Sequence, residues 1–545
     1  MPLRKLANIH IIEPNSIYKD KYWPKLTEIV WQKYGEQQVD DPLEVQPTLK
    51  ACFEFLCSAF RNKLADIPNA SFFVFVQDLH EDSIDLMKML LHENYFQINT
   101  EDFAASRRIM KYILEQGCTL DLVGHSSFSE EISENLDLYI SHLEELIYIG
   151  TWAFALCEYI ARSQICKLSI SLKVEENELT IYVNVPFNTL FKFVVEDNKR
   201  HNSSVVLSDS ILGLKKVLNE KVNLNYDHLY GLIYEQIKDD KFRFSVFNLD
   251  ELIEKLERDY TYSREVLDVF YSGLTINRNN VISVEEGILK TQDARRHMYR
   301  PILEYTIDGK KYWIIGGKKW AESLAQLTTN CIPFGQFPEE WKRIPDLYRF
   351  MKHCMDTHDS LLENPAIEII EQVNLKYDRN IKSFKKKNNQ GVSILKKDLG
   401  EIDILFIDEN YGRIFVAECK HNRARFEFYN WRRDISNFEE KYERQLSNKY
   451  NWVKSNRALV LEHFEVKYNC SIDKKDKFVV TPLFIINAPT LYMYDSEYLV
   501  FTLADFRLYL NQNHKEVEFD GEVKGVKHTF RKPYFKNIQA LMSAK

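Results

Sequence analysis

The sequence predicts an α/β protein: a largely helical N-terminal region with β-hairpins, followed by a C-terminal mixed sheet flanked by helices. Two observations carry this reading. Apolar residues recur three and four apart through most of the first 165 positions, the spacing of helices that bury one face. Nearer the other end, short runs rich in Val, Ile, Phe and Tyr alternate with helical stretches, the order expected of strands packed under helices. A chain of 545 residues is too long for one core, and a hydrophobic content of 45% is enough to build several.

Four regions follow: 1–165, mainly helical; 166–345, mixed α/β; 346–512, an α/β domain; and 513–545, a basic tail of little periodicity. In the first, helical spacing covers 22–34, 45–64, 82–93, 100–116 and 130–163, while SFFVFV at 71–76 reads as a strand. From Lys167 the period changes to two, and KLSISLKVEENELTIYVNV reads as a hairpin. Helices are expected over 208–219 and 226–236, with acidic helical sequence to Glu265. The string EYTIDGKKYWIIGGKKW predicts a second hairpin turning at Gly316-Gly317. It is not a phosphate loop, because Lys319 follows Lys318 where that motif needs Ser or Thr.

Pro333, Gly335, Pro338 and Pro345 mark a linker. Beyond it the pattern predicts helical sequence from Tyr348 and a helix from an Asn364 cap and Pro365 to about Val373. Strands over 402–407 and 414–417 join through the polar turn DENYG. A helix over 434–453, strands over 457–461 and 478–486, and a strand with a closing helix over 499–510 complete the domain.

The formal net charge of −8 argues against a protein that coats nucleic acid over its whole surface. Residues 376–454 nevertheless carry 18 Lys and Arg against 12 Asp and Glu, a net of +6, which leaves −14 for the rest. Positive charge is thus concentrated in one segment, as suits a polyanionic substrate. The nine cysteines are scattered singly, with no CxxC pair or zinc spacing, which points to core thiols in a reducing cytoplasm. No signal peptide opens the sequence, and the longest apolar stretch, 146–157, is too short to span a bilayer, so no membrane partner is expected.

Chemistry concentrates in LGEIDILFIDENYGRIFVAECK, residues 399–420. Asp403 lies in one apolar strand, and Glu418-Cys419-Lys420 ends the next. Side chains alternate along a strand, so Glu418 and Lys420 share a face that Cys419 does not. Charges buried on a sheet are costly unless paired or bound to a metal. Asp403, Glu418 and the carbonyl oxygen of Cys419 form an oxygen donor set suited to Mg2+, with Mn2+ as a substitute. Lys420 would then orient or help deprotonate a water, and offset charge on a reacting phosphate.

This pattern resembles the PD-(D/E)xK nuclease superfamily, with its acidic residue opening a strand and its (D/E)-x-K on the neighbouring one. Fourteen residues separate Asp403 from Glu418, and Ile402 stands where the family usually has Pro. The resemblance spans residues 359–510 and implies a restriction-endonuclease-like fold. It also implies a glutamate from the preceding helix, Glu368 with Glu371 as substitute, and a polar residue from the following helix, Gln445. The residues themselves add Arg423, Arg425, Arg432 and Arg433 as phosphate contacts, among aromatics (Phe426, Phe428, Tyr429, Trp431) able to stack on bases.

The expected function is therefore metal-dependent hydrolysis of DNA phosphodiesters. A large N-terminal part joined to such a domain has the layout of a sensor and effector in prokaryotic restriction or antiphage defence, with a partner protein engaged through that part. Cutting both strands needs two sites, which makes a homodimer the expected assembly. Two other classes compete: a non-catalytic DNA-binding module whose triad only stabilises the sheet, and an interaction scaffold with a decayed nuclease fold.

Overall fold

Residues 71–76 form no strand; they lie inside the helix Ala70–His92. Positions 71 to 77 are all buried, so this helix is apolar on every side and shows neither helical nor strand periodicity. The computed structural model describes residues 3–6, 9–12, 16–92, 100–124, 127–201, 210–238, 244–247, 249–388, 390–395, 399–423, 425, 427–473 and 477–544. Over these residues the chain is mixed α/β, and no helix among them is long and apolar enough to cross a membrane.

Helices Lys19–Tyr34, Pro42–Ala65, Ala70–His92, Thr100–Gly117 and Leu136–Ile165 surround the first core, which also takes in the hairpin Ile170–Glu175/Glu178–Val183. The second hairpin, Ile302–Ile307/Lys310–Gly316, is sandwiched between two cores. Leu303, Tyr305, Ile307 and Ile314 face the first, while Ile302, Trp313 and Ile315 face a second built from residues 214–351.

That hairpin turns at Asp308-Gly309, both with positive φ (48° and 74°), and not at Gly316-Gly317. Two positive φ values match the strand twist of a tight hairpin, a role Asp-Gly fills well. Gly316-Gly317 instead joins the strand to the helix Gly317–Gln326. The Glu81 carboxylate accepts the N–H groups of Lys318 (3.0 Å) and Lys319 (3.1 Å) there, at the positive end of the helix. A Cβ on Gly316 would stand 1.8 Å from Glu81 Oε1, so the glycine admits the carboxylate.

The C-terminal sheet has five strands in the order Lys376–Ile381, Ile402–Asp408, Arg413–Lys420, Val479–Ile486 and Leu499–Thr502. The first two pairings are antiparallel and the last two parallel. Leu405, Ile407, Ile414, Val416 and Phe484 line one face, under Phe438, Leu446, Val453, Val460 and Phe464. Ile404, Phe406, Phe415, Ala417, Leu483 and Ile485 line the other, against Leu362, Ala366, Ile367, Ile369 and Ile370 of the helix Pro345–Gln372.

Three sequence expectations fail in this domain. Asn364 caps no helix, because Pro345–Gln372 runs through Pro365 unbroken. Burial of the apolar residues beyond Pro365 against the sheet offsets the lost hydrogen bond, and the Asn364 side chain accepts from Arg379 instead (2.9 Å). Residues 457–461 are not a strand but the start of the helix Arg457–Tyr468, a short apolar run that periodicity alone cannot assign. Residues 513–545 are not a tail: a hairpin, Phe519–Val523/Val526–Phe530, and a helix, Tyr534–Ser543, bury Phe519, Phe530, Tyr534 and Ile538 against Phe187, Phe191, Trp431 and Leu491.

Candidate functional site

Asp403 and Glu418 meet at the end of the mixed sheet. The ladder pairs Ile404 with Ala417, and one step further places Asp403 opposite Glu418, on the same face because cross-strand neighbours share one. The Cys419 N–H donates to Asp403 Oδ2 at 2.8 Å. Lys420, two residues from Glu418 and so on the same face, puts its Nζ 2.7 Å from Glu418 Oε1.

The helical segment above this face runs from Phe428 to Ser455, with one π turn over Phe438–Tyr442. It brings down Lys449, whose Nζ bonds Glu418 Oε2 and lies 3.4 Å from Asp403 Oδ1. The two carboxylates and two ammonium groups are therefore interleaved and largely shielded from solvent. Glu418 is 3% exposed and Lys449 5%.

A cavity of about 350 Å³ opens beside them, lined by Asp403, Cys419, Lys420, Tyr442 and Gln445 and, from the helix on the opposite face, Asp359 and Glu363. Gln445 is on this wall. Glu368 is not: it is exposed, and Glu371 accepts the Tyr377 hydroxyl. Glu363, five residues before Glu368, is the glutamate that this helix brings to the cavity, where Glu401 also lies.

Burial, then repulsion from Asp403, Asp359 and Glu401, pushes the Glu363 carboxyl up to about 7. Burial and the neighbouring Glu418 likewise raise Asp403, against the pull of Lys449 and Lys420. Burial works against the Lys420 ammonium, but Glu418 and Asp403 outweigh it and hold it above the ordinary lysine range. Lys420 is firmly protonated, which suits it to stabilising charge and not to removing a proton from water.

The arginines lie beyond the sheet end. Arg423, Arg425 and Arg433 line a second cavity of about 170 Å³ that shares His421, Asn422 and Tyr442 with the first. Arg432 is half-buried and not on its wall. The aromatics expected to stack on bases are packed inward: Trp431 is fully buried, and Phe428 meets it and Phe191 edge-on, while Phe426 lies outside the described residues.

Among the described residues no group of three or more His, Cys, Asp or Glu side chains is arranged to hold a metal ion. The donor chemistry still fits a hard cation in kind. Two facing carboxylates suffice when waters complete the shell, and Asp403 and Glu363, raised first by burial and then by neighbouring carboxylates, carry a charge that a cation would stabilise. In this structure Lys449 stands on both carboxylates. No family model, curated protein or solved structure matches the chain.

Sequence reasoning groups Lys449 with Gln445, Lys441 and Arg444 on that helix but gives the site role to Gln445 alone, and it misses Glu363. Lys449 lies four residues after Gln445, hence on the same helix face, a signal that was available. Glu363 was hidden because Asn364-Pro365 reads as a helix start, which places Glu363 outside the helix.

Proposed function

We propose that the cavity at the sheet end is the active site of a divalent-cation-dependent phosphodiesterase acting on DNA, built on a restriction-endonuclease-like sheet. The observation that carries this reading is the convergence of Asp403, Glu418 and Lys420 on one sheet face, with Asp403 and Lys420 on the wall of a polar cavity and Glu418 buried behind them. The resemblance of their spacing to PD-(D/E)xK nucleases and the basic segment around them support it.

Asp403 and Glu418 would hold the Mg2+, or Mn2+, once Lys449 moves aside. The ion, when bound, would polarise a phosphoryl oxygen and acidify water. Lys420 places a fixed positive charge where negative charge grows on the phosphate. Glu363, ionising near neutrality, is matched to accepting the proton of the attacking water, and the Gln445 amide can orient water or phosphate. The proposed setting is prokaryotic restriction or antiphage defence, with the N-terminal helical part engaging a partner.

Fluorescently labelled DNA incubated with Mg2+, with Mn2+ and with EDTA tests the proposal. Cleavage with either ion and none with EDTA is expected, and intact DNA under all three conditions would refute it. One observation favours a second reading. Lys449 already neutralises both carboxylates, as it would in a purely structural ion cluster of a DNA-binding or scaffold protein. Gel shift of DNA without cleavage would support the binding module.

A further inference from the structure

The second cavity joins two parts of the chain. Arg423, Arg425 and Arg433 come from the segment after the sheet strand Arg413–Lys420, while Gln292, Phe334 and Gln336 come from the region before the helix Pro345–Gln372. Arg423 is 91% buried, being 9% exposed, with its guanidinium over the Phe334 ring at 4.6 Å. Its Nη1 donates to Gln292 Oε1 at 2.9 Å, yet its Nε and Nη2 are buried without any hydrogen bond.

Arg425 Nη1 donates to the same Gln292 oxygen, and its Nε, also without a hydrogen bond, stands 3.5 Å from Asp434 Oδ2. Among the described residues Asp434 is the one carboxylate on a wall that carries three guanidinium groups. A buried guanidinium with two idle nitrogen donors is expensive unless something accepts from it. Gln336, Asn422 and Asn437 complete a polar lining, so what is missing is a compact acceptor with several oxygens.

We propose that this cavity binds a phosphate monoester, presented either by the end of a nucleic-acid strand or by a free nucleotide. A tetrahedral dianion supplies the oxygens that the idle Arg423 donors lack, with Arg425 and Arg433 beside it, and planar guanidinium groups grip phosphate in pairs. Arg433, exposed at the mouth, would meet the anion first. His421, Asn422 and Tyr442 belong to both cavities, so a strand whose terminal phosphate sits among the arginines would lead its next linkage toward Asp403 and Glu418. That last placement rests on the phosphodiesterase reading; the anion site does not.

The test is equilibrium binding to the full chain in EDTA, where no cleavage occurs, so its outcome is separate from that of the cleavage assay. Calorimetry would titrate inorganic phosphate, a nucleoside 5′-monophosphate, and short oligonucleotides ending in a 5′-phosphate or a 5′-hydroxyl. Saturable binding of one phosphate per chain is expected, weakened about tenfold or more in Arg423→Gln and in Arg433→Gln. Arg433 is exposed, so its variant folds and decides the matter even where Arg423→Gln does not. Preference for the phosphorylated oligonucleotide assigns the strand end, and equal binding of the mononucleotide assigns a small ligand. No saturable binding by the wild type, or unchanged affinity in Arg433→Gln, overturns the inference.

Discussion

Replacing Lys449 with Met separates a cation site from a structural ion cluster. The thioether side chain keeps most of the volume and removes the ammonium bridging Asp403 and Glu418. Breaking one partner out of a buried charge pair costs about 3 to 5 kcal/mol. Here the lower figure applies, since Glu418 keeps Lys420 at 2.7 Å and Asp403 keeps the Cys419 N–H at 2.8 Å. For a domain of this size, a loss of about 3 kcal/mol lowers the melting temperature by roughly 6 to 12 °C in EDTA. Mg2+ at about a hundred times its dissociation constant returns about 2.7 kcal/mol by mass action, nearly the whole deficit. The wild type should gain less, because the ion must first displace Lys449. Differential scanning fluorimetry of both proteins with EDTA, Mg2+ and Mn2+ measures this directly. A Lys449→Met protein that melts early and is not rescued by either ion would leave only the structural cluster, and one that melts like the wild type would refute the charge argument itself.

Asp403→Asn, Glu418→Gln and Lys420→Ala should each abolish cleavage while the chain still folds; Glu418→Gln, which takes the shared partner from Lys420 and Lys449, should melt early by a margin like that of Lys449→Met, and circular dichroism beside the cleavage assay checks both. Glu363 bears a pH prediction. The folded chain keeps its proton up to about pH 7, whereas an unfolded glutamate releases it near about 4.3. The stability contributed by the protonated form is therefore complete below about pH 4.3 and is lost as the pH rises to about 7. Glu363→Gln, with nothing to ionise, should show a shallower fall in melting temperature across that window than wild type. With a cation on Asp403 the Glu363 carboxyl should ionise below about 7, so wild-type cleavage should rise with pH and level off below that value, and a rate that stays flat through the acid range would remove Glu363 from the chemistry. Deleting residues 513–545 should bare Phe187, Phe191, Trp431 and Leu491 and cause aggregation, seen by size-exclusion chromatography.

What was legible in the sequence is what local periodicity encodes. Asp403 and Glu418-Cys419-Lys420 were assigned to neighbouring strands because their apolar neighbours alternate with a turn between them, and the register then places both carboxylates on one face. The failures share a different cause, in that tertiary burial overrode local signals. SFFVFV has strand composition but is enclosed on every side of a helix; Pro365 has the look of a helix start but sits inside one held by Ile367, Ile369 and Ile370. The polar sequence after 512 buries Phe519, Val523, Phe530, Tyr534, Phe535 and Ile538 at uneven spacing, which leaves too weak a pattern to read.

The arginines show why residue type and position together do not fix a role. A basic run after a catalytic-type strand reads as an exposed phosphate track, yet Arg423 and Arg425 turn inward and Trp431 closes over a core. The helical segment Phe428–Ser455 explains the change. Its π turn, closed by the Glu443 N–H on Phe438 O, lies between the residues that line the arginine cavity, Arg433, Asp434 and Asn437, and those at the acid cavity, Gln445 and Lys449. A π turn inserts one residue and shifts the helical phase, and such bulges often sit at functional sites. Without the inserted residue the two sets could not both keep their present faces. A deletion within 438–442 should therefore break the Lys449 contact with Glu418, or the arginine wall, while sparing the helix. One helical segment thus lines both cavities, and the phase set by its π turn fixes which residues each receives.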